Sequence, residues 1–453
     1  MKFHRLDADK AYRGAMLWVP KRFIPEGTLD AALTYWFTEK VEGASEPVAQ
    51  CVRTWREERD HIALPREFPK ETIPCEVIDL PISEERVPFR SDVHPRDAIQ
   101  AEAIQAMHGH HCGILNLGCG RGKSVIGLDR IAHGGGPGLV IVNNKGLLKQ
   151  WCEEAQRHLH LGADEIGEVM GDRSEWERPL VLASIQTLWR RIESHDVPEE
   201  ARRRFATVLF DEVHHLSARR FNVVASVFSG DRFGLTATAE RADGNERFYF
   251  YHLGPIIYRN LDVDVPPTVY FAHTEIEPTR KERDSFYARD QIHVGNIRRW
   301  QAGIARRNRA IALAAKSAAK DGHKVLVLTH RRSDHVPKLI KLLKGCGVVT
   351  GGVKGEARLE ELKKQIVVGT MGAAEEGLDS PELSVCIVAT TFASDKEFQQ
   401  SSGRLTRPAP GKDGAEYIYV VDHAPKCLKH AKKIERSAKV RGYAVEHYKM
   451  ELP

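Results

Sequence analysis

The 453-residue chain has eight cysteines, and no two of them form a CxxC pair. That spacing argues against a zinc ribbon and against a dense disulfide framework. Scattered thiols of this kind fit a reducing compartment. An apolar run of about 18 residues, the length that a membrane-spanning helix requires, does not occur. The opening Met1-Lys2-Phe3-His4-Arg5-Leu6-Asp7 lacks the apolar stretch of a signal peptide. The expectation is a soluble, cytoplasmic protein. Internal repeats and low-complexity tracts are also missing. Charge of one sign is scarce: 67 Lys and Arg stand against 62 Asp and Glu, for a net +5. So small an excess permits a nucleic-acid partner without establishing one.

What the chain does contain is an ordinary globular composition, 42% hydrophobic and 28% charged, at a length that suggests about three domains. Short β-branched apolar runs end in Gly-rich or polar turns at Gly113-Ile114-Leu115-Asn116-Leu117, Gly138 to Asn143, Leu180 to Ala183, Thr207 to Phe210 and Phe233 to Leu235. Helix-like stretches at Lys123–Ala132, Leu147–Leu159 and Ser217–Phe228 separate them. Alternating strands and helices imply parallel strands with crossovers, hence a doubly wound α/β sheet. The same grammar restarts after about residue 305, with strands expected at 324–328, 365–368, 385–389 and 417–421 and helices at Asn308–Lys320, Val336–Leu343 and Lys396–Leu405. Residues 1–90 lack this rhythm and form a small accessory domain. Pro74, Pro81 and Pro88 suggest an extended linker leading into the first lobe at 91–260. Residues 261–305, with the charged run Arg280 to Asp284, are expected to be a helical-hairpin connector to a second lobe at 306–453.

Gly118-Cys119-Gly120-Arg121-Gly122-Lys123-Ser124 follows a strand and opens a helix, the context that gives a phosphate-loop motif its meaning. Gly120 and Gly122 let backbone N–H groups turn inward around phosphate oxygens, and the helix N-terminus adds a favourable dipole. Lys123 supplies a point charge for the β- and γ-phosphates, and Ser124 a hydroxyl for Mg²⁺. The long GxxxxGK[ST] form fails, because Leu117 stands five before Gly122, but the short GxGK[ST] form is intact.

Thr207 to Phe210 leads an apolar strand into Asp211-Glu212-Val213-His214. Asp211 is suited to hold Mg²⁺ through water and Glu212 to polarise the attacking water. His214 is placed to couple the nucleotide to the next segment. There Thr236 and Thr238, in Gly234-Leu235-Thr236-Ala237-Thr238, offer hydroxyls at another strand end.

In the second lobe, Thr370 is a candidate contact for a nucleic-acid phosphate, and Gly377 and Asp379 are candidates to approach the nucleotide. Gln400 leads Gln400-Ser401-Ser402-Gly403-Arg404-Leu405-Thr406-Arg407. Arg404 and Arg407, three apart, share one face if helical, and such a pair suits an arginine finger. The basic tail from Lys426 to Arg441 reads as a helix that either contacts nucleic acid or presents a solvated face. His108 to Cys112 reads as a surface turn rather than a metal site.

Taken together, Gly120–Ser124, Asp211–His214, Thr236–Thr238, Gly377–Asp379 and Gln400–Arg407 occur in the order found in superfamily 2 helicases, and the chain over residues 90–425 resembles that superfamily. Gln100 resembles the glutamine-led segment before the first lobe, Trp151 lies in a strand–helix unit that resembles a backbone-contacting one, and Thr187 lies in a similar turn. Arg241-Ala242-Asp243-Gly244 after Thr238, and Leu253 to Tyr258, point within it to XPB-like and phage recombination helicases, although Ala239 replaces the proline of their TATP pattern.

The resemblance implies two tandem RecA-like lobes with ATP and Mg²⁺ in the cleft and DNA, single-stranded, forked or branched, across both. It implies a bacterial or phage-infected host cell, and an ATP-dependent enzyme that unwinds or remodels DNA in recombination, repair or replication. Two other readings stay open: an RNA-dependent ATPase, which DEVH in place of DEAD disfavours, and the motor subunit of a defence or restriction assembly.

Overall fold

The computed structural model describes residues 7, 9–24, 28–39, 48–118, 120–213, 218–237, 247–288, 291–351, 355–372 and 380–453. The chain divides into two compact units, Met1–Leu117 with Arg121–Asn260, and Gly118–Gly120 with Leu261–Pro453.

The first unit is built on an eight-stranded sheet. Its order is Arg173–Ser174, Ile166–Met170, Leu180–Ser184, Gly138–Val142, Thr207–Asp211, Asp231–Thr236, Cys112–Leu117, Ile256–Asn260. All neighbours pair in parallel except the antiparallel edge strand Arg173–Ser174. The central strands are apolar on both faces, as a parallel sheet covered by helices requires. The helices expected at Lys123–Ala132, Leu147–Leu159 and Ser217–Phe228 run over Lys123–Gly134, Lys145–His158 and Ala218–Ala225.

Residues 11–79 form a second, mixed sheet in the order Arg56–Glu58, His61–Leu64, Leu17–Pro20, Ala11–Arg13, Val77–Asp79. A separate hairpin pairs Thr34–Glu39 with Val48–Arg53. Two arginines, Arg66 half-buried and Arg232 buried, tie the mixed sheet to the large one. Arg66 donates to the carbonyls of Gly14 and Gly230, each at 3.0 Å. Arg232, 1% exposed, donates to Ala15 O at 2.8 Å and also to Phe228 O. Arg232, in a strand of the large sheet, thus finds carbonyl acceptors in the turn between two strands of the mixed sheet and in the loop before its own strand, as a buried cation requires. Residues 81–95 have no regular structure.

The second unit carries a seven-stranded, all-parallel sheet in the order Gly347–Val349, Ile366–Thr370, Lys324–Thr329, Leu383–Val388, Glu416–Val421, Thr268–His273, Val445–Lys449. Here the expected connector at 261–305 is corrected. The run Thr-Val-Tyr-Phe-Ala-His at 268–273 is a strand inside this sheet, between Glu416–Val421 and Val445–Lys449. Its alternation of half-buried Tyr270 with buried Val269 and Phe271 suits a sheet position. The charged run forms only the short helix Arg280–Asp284, closed by a capping box between Thr279 and Glu282.

The basic tail is the helix Pro425–Val440, whose Cys427, His430, Ala431, Ile434 and Ala438 are buried. Beneath it lies an ion pair with both side chains fully buried: Arg307 Nε donates to Asp422 at 2.9 Å, and Gln301 Nε2 donates to the same carboxylate at 2.7 Å. No described helix is long and apolar enough to cross a membrane.

Candidate functional site

In the first unit three neighbouring strands deliver the chemistry to one edge. Thr207–Asp211, Asp231–Thr236 and Cys112–Leu117 are adjacent and parallel, with Asp211 opposite Leu235 and Thr236 opposite Asn116. All three end on the same side, the edge at which open α/β sheets bind ligands. The acidic box, the threonine segment and the entry to the phosphate loop are therefore neighbours through sheet register alone.

The phosphate loop is shaped by left-handed glycines. Gly120 has φ 79° and Gly122 φ 73°, and Gly122 is the N-cap of helix Lys123–Gly134. A side chain at Gly122 is excluded twice, by that φ and by Gln100, whose Nε2 would lie 2.5 Å from a Cβ. Gln100 is buried; its Nε2 donates to Arg121 O at 3.1 Å and its Oε1 accepts from Arg96 N at 3.0 Å. Arg121 is also buried, with Nη1 3.1 Å from Asp97 Oδ2. Asp97 in turn caps helix Ala98–His108 by accepting from Gln100 N at 2.8 Å. Gln100 and Arg121 thus brace the loop from behind. Lys123 Nζ donates to Leu117 O at 3.2 Å, and Ser124 stands half-buried in the first turn of its helix.

Asp211 is buried at the strand end, and Trp151 Nε1 donates to its Oδ2 at 2.8 Å. Burial, and then the negative charge of Glu212, push the Asp211 carboxyl well above the ordinary carboxylate range; the Trp151 hydrogen bond and the Lys123 charge act against them. At Glu212 the backbone turns out of the strand with φ 48°, a left-handed conformation rare for a residue with a side chain. Such strain collects where a side chain must be aimed. Thr236 is buried at its strand end. Thr187 is buried in the first turn of helix Ile185–Glu193, and its hydroxyl accepts from Gly171 N at 3.1 Å. His214 and Thr238 lie outside the described residues.

In the second unit, Thr370 ends the strand Ile366–Thr370, opposite Thr329. The expected shared helical face of Arg404 and Arg407 is corrected: helix Asp395–Ser402 stops with Gly403 as its C-cap, and both arginines follow in the turn beyond. Gln400 is on the helix; Gln400, Arg404 and Arg407 are each half-buried. Lys412 holds that turn, donating to Leu405 O at 2.6 Å and to Arg407 O at 2.8 Å. Burial, then the Arg407 charge, push the Lys412 amine down to about 8. Gly377 and Asp379 lie outside the described residues.

With this geometry in hand, comparison with known proteins is informative. A family described as "Type III restriction enzyme, res subunit" matches residues 93–241. A protein named DNA 3'-5' helicase XPB from Kineococcus radiotolerans is 27% identical over 365 residues, which cover 76% of this chain and 63% of that one. Its namesake in Mycobacterium tuberculosis is 28% identical over 344 residues, 73% of this chain and 61% of that one. The chain is similar to XPB helicases over about three quarters of its length. It spans about three fifths of the length of these two curated relatives. Among solved structures, a fragment of a putative HsdR subunit of a type I restriction enzyme from Vibrio vulnificus matches with a TM-score of 0.56, at 16% identity, over 80% of this chain and 69% of its own, a likeness of fold.

Two contacts of this site have no signature in the sequence. The Trp151–Asp211 hydrogen bond joins residues 60 apart, so no local pattern announces it. Lys412 sits in Gly411-Lys412-Asp413-Gly414, which reads as a solvated turn. Among the described residues, no group of His, Cys, Asp and Glu is arranged to hold a metal ion by itself.

Proposed function

We propose that this chain is an ATP-dependent DNA translocase or helicase that unwinds or remodels branched DNA in recombination, repair or replication. The observation that carries the reading is the convergence of the phosphate loop, Asp211 and Glu212 on one edge of a parallel sheet, with left-handed backbone at Gly120, Gly122 and Glu212. The residues fit ATP with Mg²⁺. The left-handed glycines open a cradle of N–H groups, Lys123 supplies the cation, and Asp211, buried and uncomfortable as an anion, gains from a divalent partner. Ser124 and Asp211 would hold the metal, Asp211 largely through water, and the metal would supply charge neutralisation for the phosphates.

Glu212 polarises the attacking water. Arg404 and Arg407 act on the charge of the transferring phosphoryl group, assisted by Gln400, and Gly377 and Asp379 approach the nucleotide. His214, Thr236, Thr238, Thr187 and Thr370 couple the nucleotide to the strand. Grip on DNA is mostly phosphate contact, tolerant of sequence and sensitive to salt. The sheet at 11–79 serves as an accessory DNA-binding element.

A second reading is favoured by one observation, the family match at 93–241 to a restriction subunit. In it the chain is the motor of a larger assembly and does not separate strands itself. Steady-state ATP hydrolysis by the purified chain, alone and with single-stranded DNA, duplex, forked DNA or RNA, tests the proposal. Stimulation by forked DNA is expected; stimulation by RNA alone overturns it in favour of an RNA-dependent ATPase, and no stimulation by any of them favours the partner-dependent motor.

A further inference from the structure

We infer that Trp151 is a positioning residue for the metal-holding carboxylate: its indole N–H fixes Asp211 so that one oxygen is turned toward the cation. The inference rests on the ATP-site reading above and deepens it.

The placement follows from the sheet. Strand Gly138–Val142 lies directly beside Thr207–Asp211. Helix Lys145–His158 follows that strand after a cap in which Asn144 Oδ1 accepts from Leu147 N at 2.9 Å. Its buried stripe is Leu148, Trp151 and Ala155, spaced to share one face. Trp151, 1% exposed, therefore reaches across to the end of the neighbouring strand, where Nε1 meets Asp211 Oδ2 at 2.8 Å.

A third element is cut to fit the ring. A Cβ on Gly127, in the helix that the phosphate loop opens, would lie 2.9 Å from Trp151 Cη2. The phosphate-loop helix, the Trp151 helix and the acidic strand thus all meet at one indole.

The choice of donor has a chemical consequence. An indole N–H carries no formal charge and does not ionise in the pH range of a folded protein, so it orients the carboxylate without neutralising it. The positive charge of Lys123 remains for the phosphates. Oδ2 accepts the indole N–H and the backbone N–H of Glu212 also bonds this carboxylate, so its remaining lone pairs are held in a fixed orientation for the cation or its water. Groups that hold a metal ligand in this way change metal affinity by about 10- to 100-fold when removed.

The test is direct binding, not turnover. Mn²⁺ binding is measured by electron paramagnetic resonance on the full chain with a non-hydrolysable ATP analogue, and binding of that analogue is measured separately in EDTA. Trp151→Phe keeps an aromatic ring and removes the donor. It is expected to weaken Mn²⁺ binding about tenfold or more and to leave metal-free nucleotide binding within about twofold, well inside the tenfold that 1.4 kcal/mol represents.

Unchanged Mn²⁺ affinity, or an equal loss of metal-free nucleotide binding, overturns the inference, the latter because it marks Trp151 as general packing. Asp211→Asn separates the two levels. If it too leaves Mn²⁺ binding intact, the site reading itself fails; if it abolishes binding while Trp151→Phe does not, only the positioning role fails. Should Trp151→Phe not fold, Gly127→Ala presses on the same ring and, equally, on Leu209 of the acidic strand. It is expected to weaken Mn²⁺ binding selectively, and wild-type Mn²⁺ affinity in that variant overturns the inference.

Discussion

The side-chain amide of Gln100 lies 2.5 Å from the point where a Cβ on Gly122 would stand. The two residues are fitted to each other: the glycine leaves room for the amide, and the amide holds the loop through Arg121 O. Gly122→Ala must both strain φ 73° and displace Gln100, and loss of measurable nucleotide binding is expected. Gln100→Ala removes two hydrogen bonds from the brace and should weaken binding of a fluorescent ATP analogue about fivefold to tenfold, from about 1 kcal/mol or slightly more. Unchanged affinity in Gln100→Ala would show that the loop holds its shape without the brace.

The proposed roles of Lys123 and Arg407 separate binding from turnover. Lys123→Ala should abolish nucleotide binding or turnover, because no other described cation comes from the first turn of that helix. Arg407→Ala should bind ATP normally yet lose DNA-stimulated turnover, by about 10³-fold if the side chain is an arginine finger. Lys412→Met releases the turn that carries Arg407 and should move stimulated turnover in the same direction by a smaller factor. Parallel nucleotide-binding and ATPase titrations of the three variants check the order.

Acid should destabilise both units. Burial holds His252 in the first unit and His335 in the second down to about 3, and each is neutral in the folded chain at pH 5. The neutral form of His335 accepts from Thr329 Oγ1 at Nδ1 and donates from Nε2 to Asn308 Oδ1, a pairing that an added proton breaks. The unfolded chain protonates these rings near 6.5. Stability is therefore complete above that pH and falls progressively as pH drops toward the folded-state values, by about 1.4 kcal/mol per unit for each histidine. Urea unfolding at pH 7.5, 6.5, 5.5 and 4.5 should show the decline starting below 6.5, and His335→Gln should flatten part of it. A flat profile would contradict the buried neutral assignments.

Removing the guanidinium that joins the two sheets of the first unit should cost several kcal/mol. Arg232→Met leaves the carbonyls of Ala15 and Phe228 without that donor, and buried carbonyls deprived of partners are costly, at about 1–3 kcal/mol each. Limited proteolysis should then cut in residues 11–79 before the large sheet. Identical proteolysis of variant and wild type would show that apolar packing alone holds the sheets together.

The parts legible in the sequence were those written locally. Gly120–Ser124 and Asp211–Glu212 announce themselves because phosphate and metal chemistry demand adjacent residues of fixed type, and the strand–helix alternation of both lobes follows from apolar runs and turns. Legibility failed where the determinant is distant or where one signal masked another. Val269, Phe271 and their neighbours make a strand, but the charge cluster at Arg280–Asp284 drew the whole segment toward a helical connector. Gly403 was the available sign that the helix ends before Arg404. The mixed sheet at 11–79 is built from strands of three and four residues, too short for periodicity to register.

Glu212 is the proposed activator of the attacking water, and every other role in the site depends on it. The deciding measurement is single-turnover ATP hydrolysis by Glu212→Gln beside wild type, with forked DNA present and nucleotide binding measured on the same samples. The variant is expected to bind ATP and DNA as wild type does and to stall before hydrolysis. Wild-type turnover in Glu212→Gln would contradict that role.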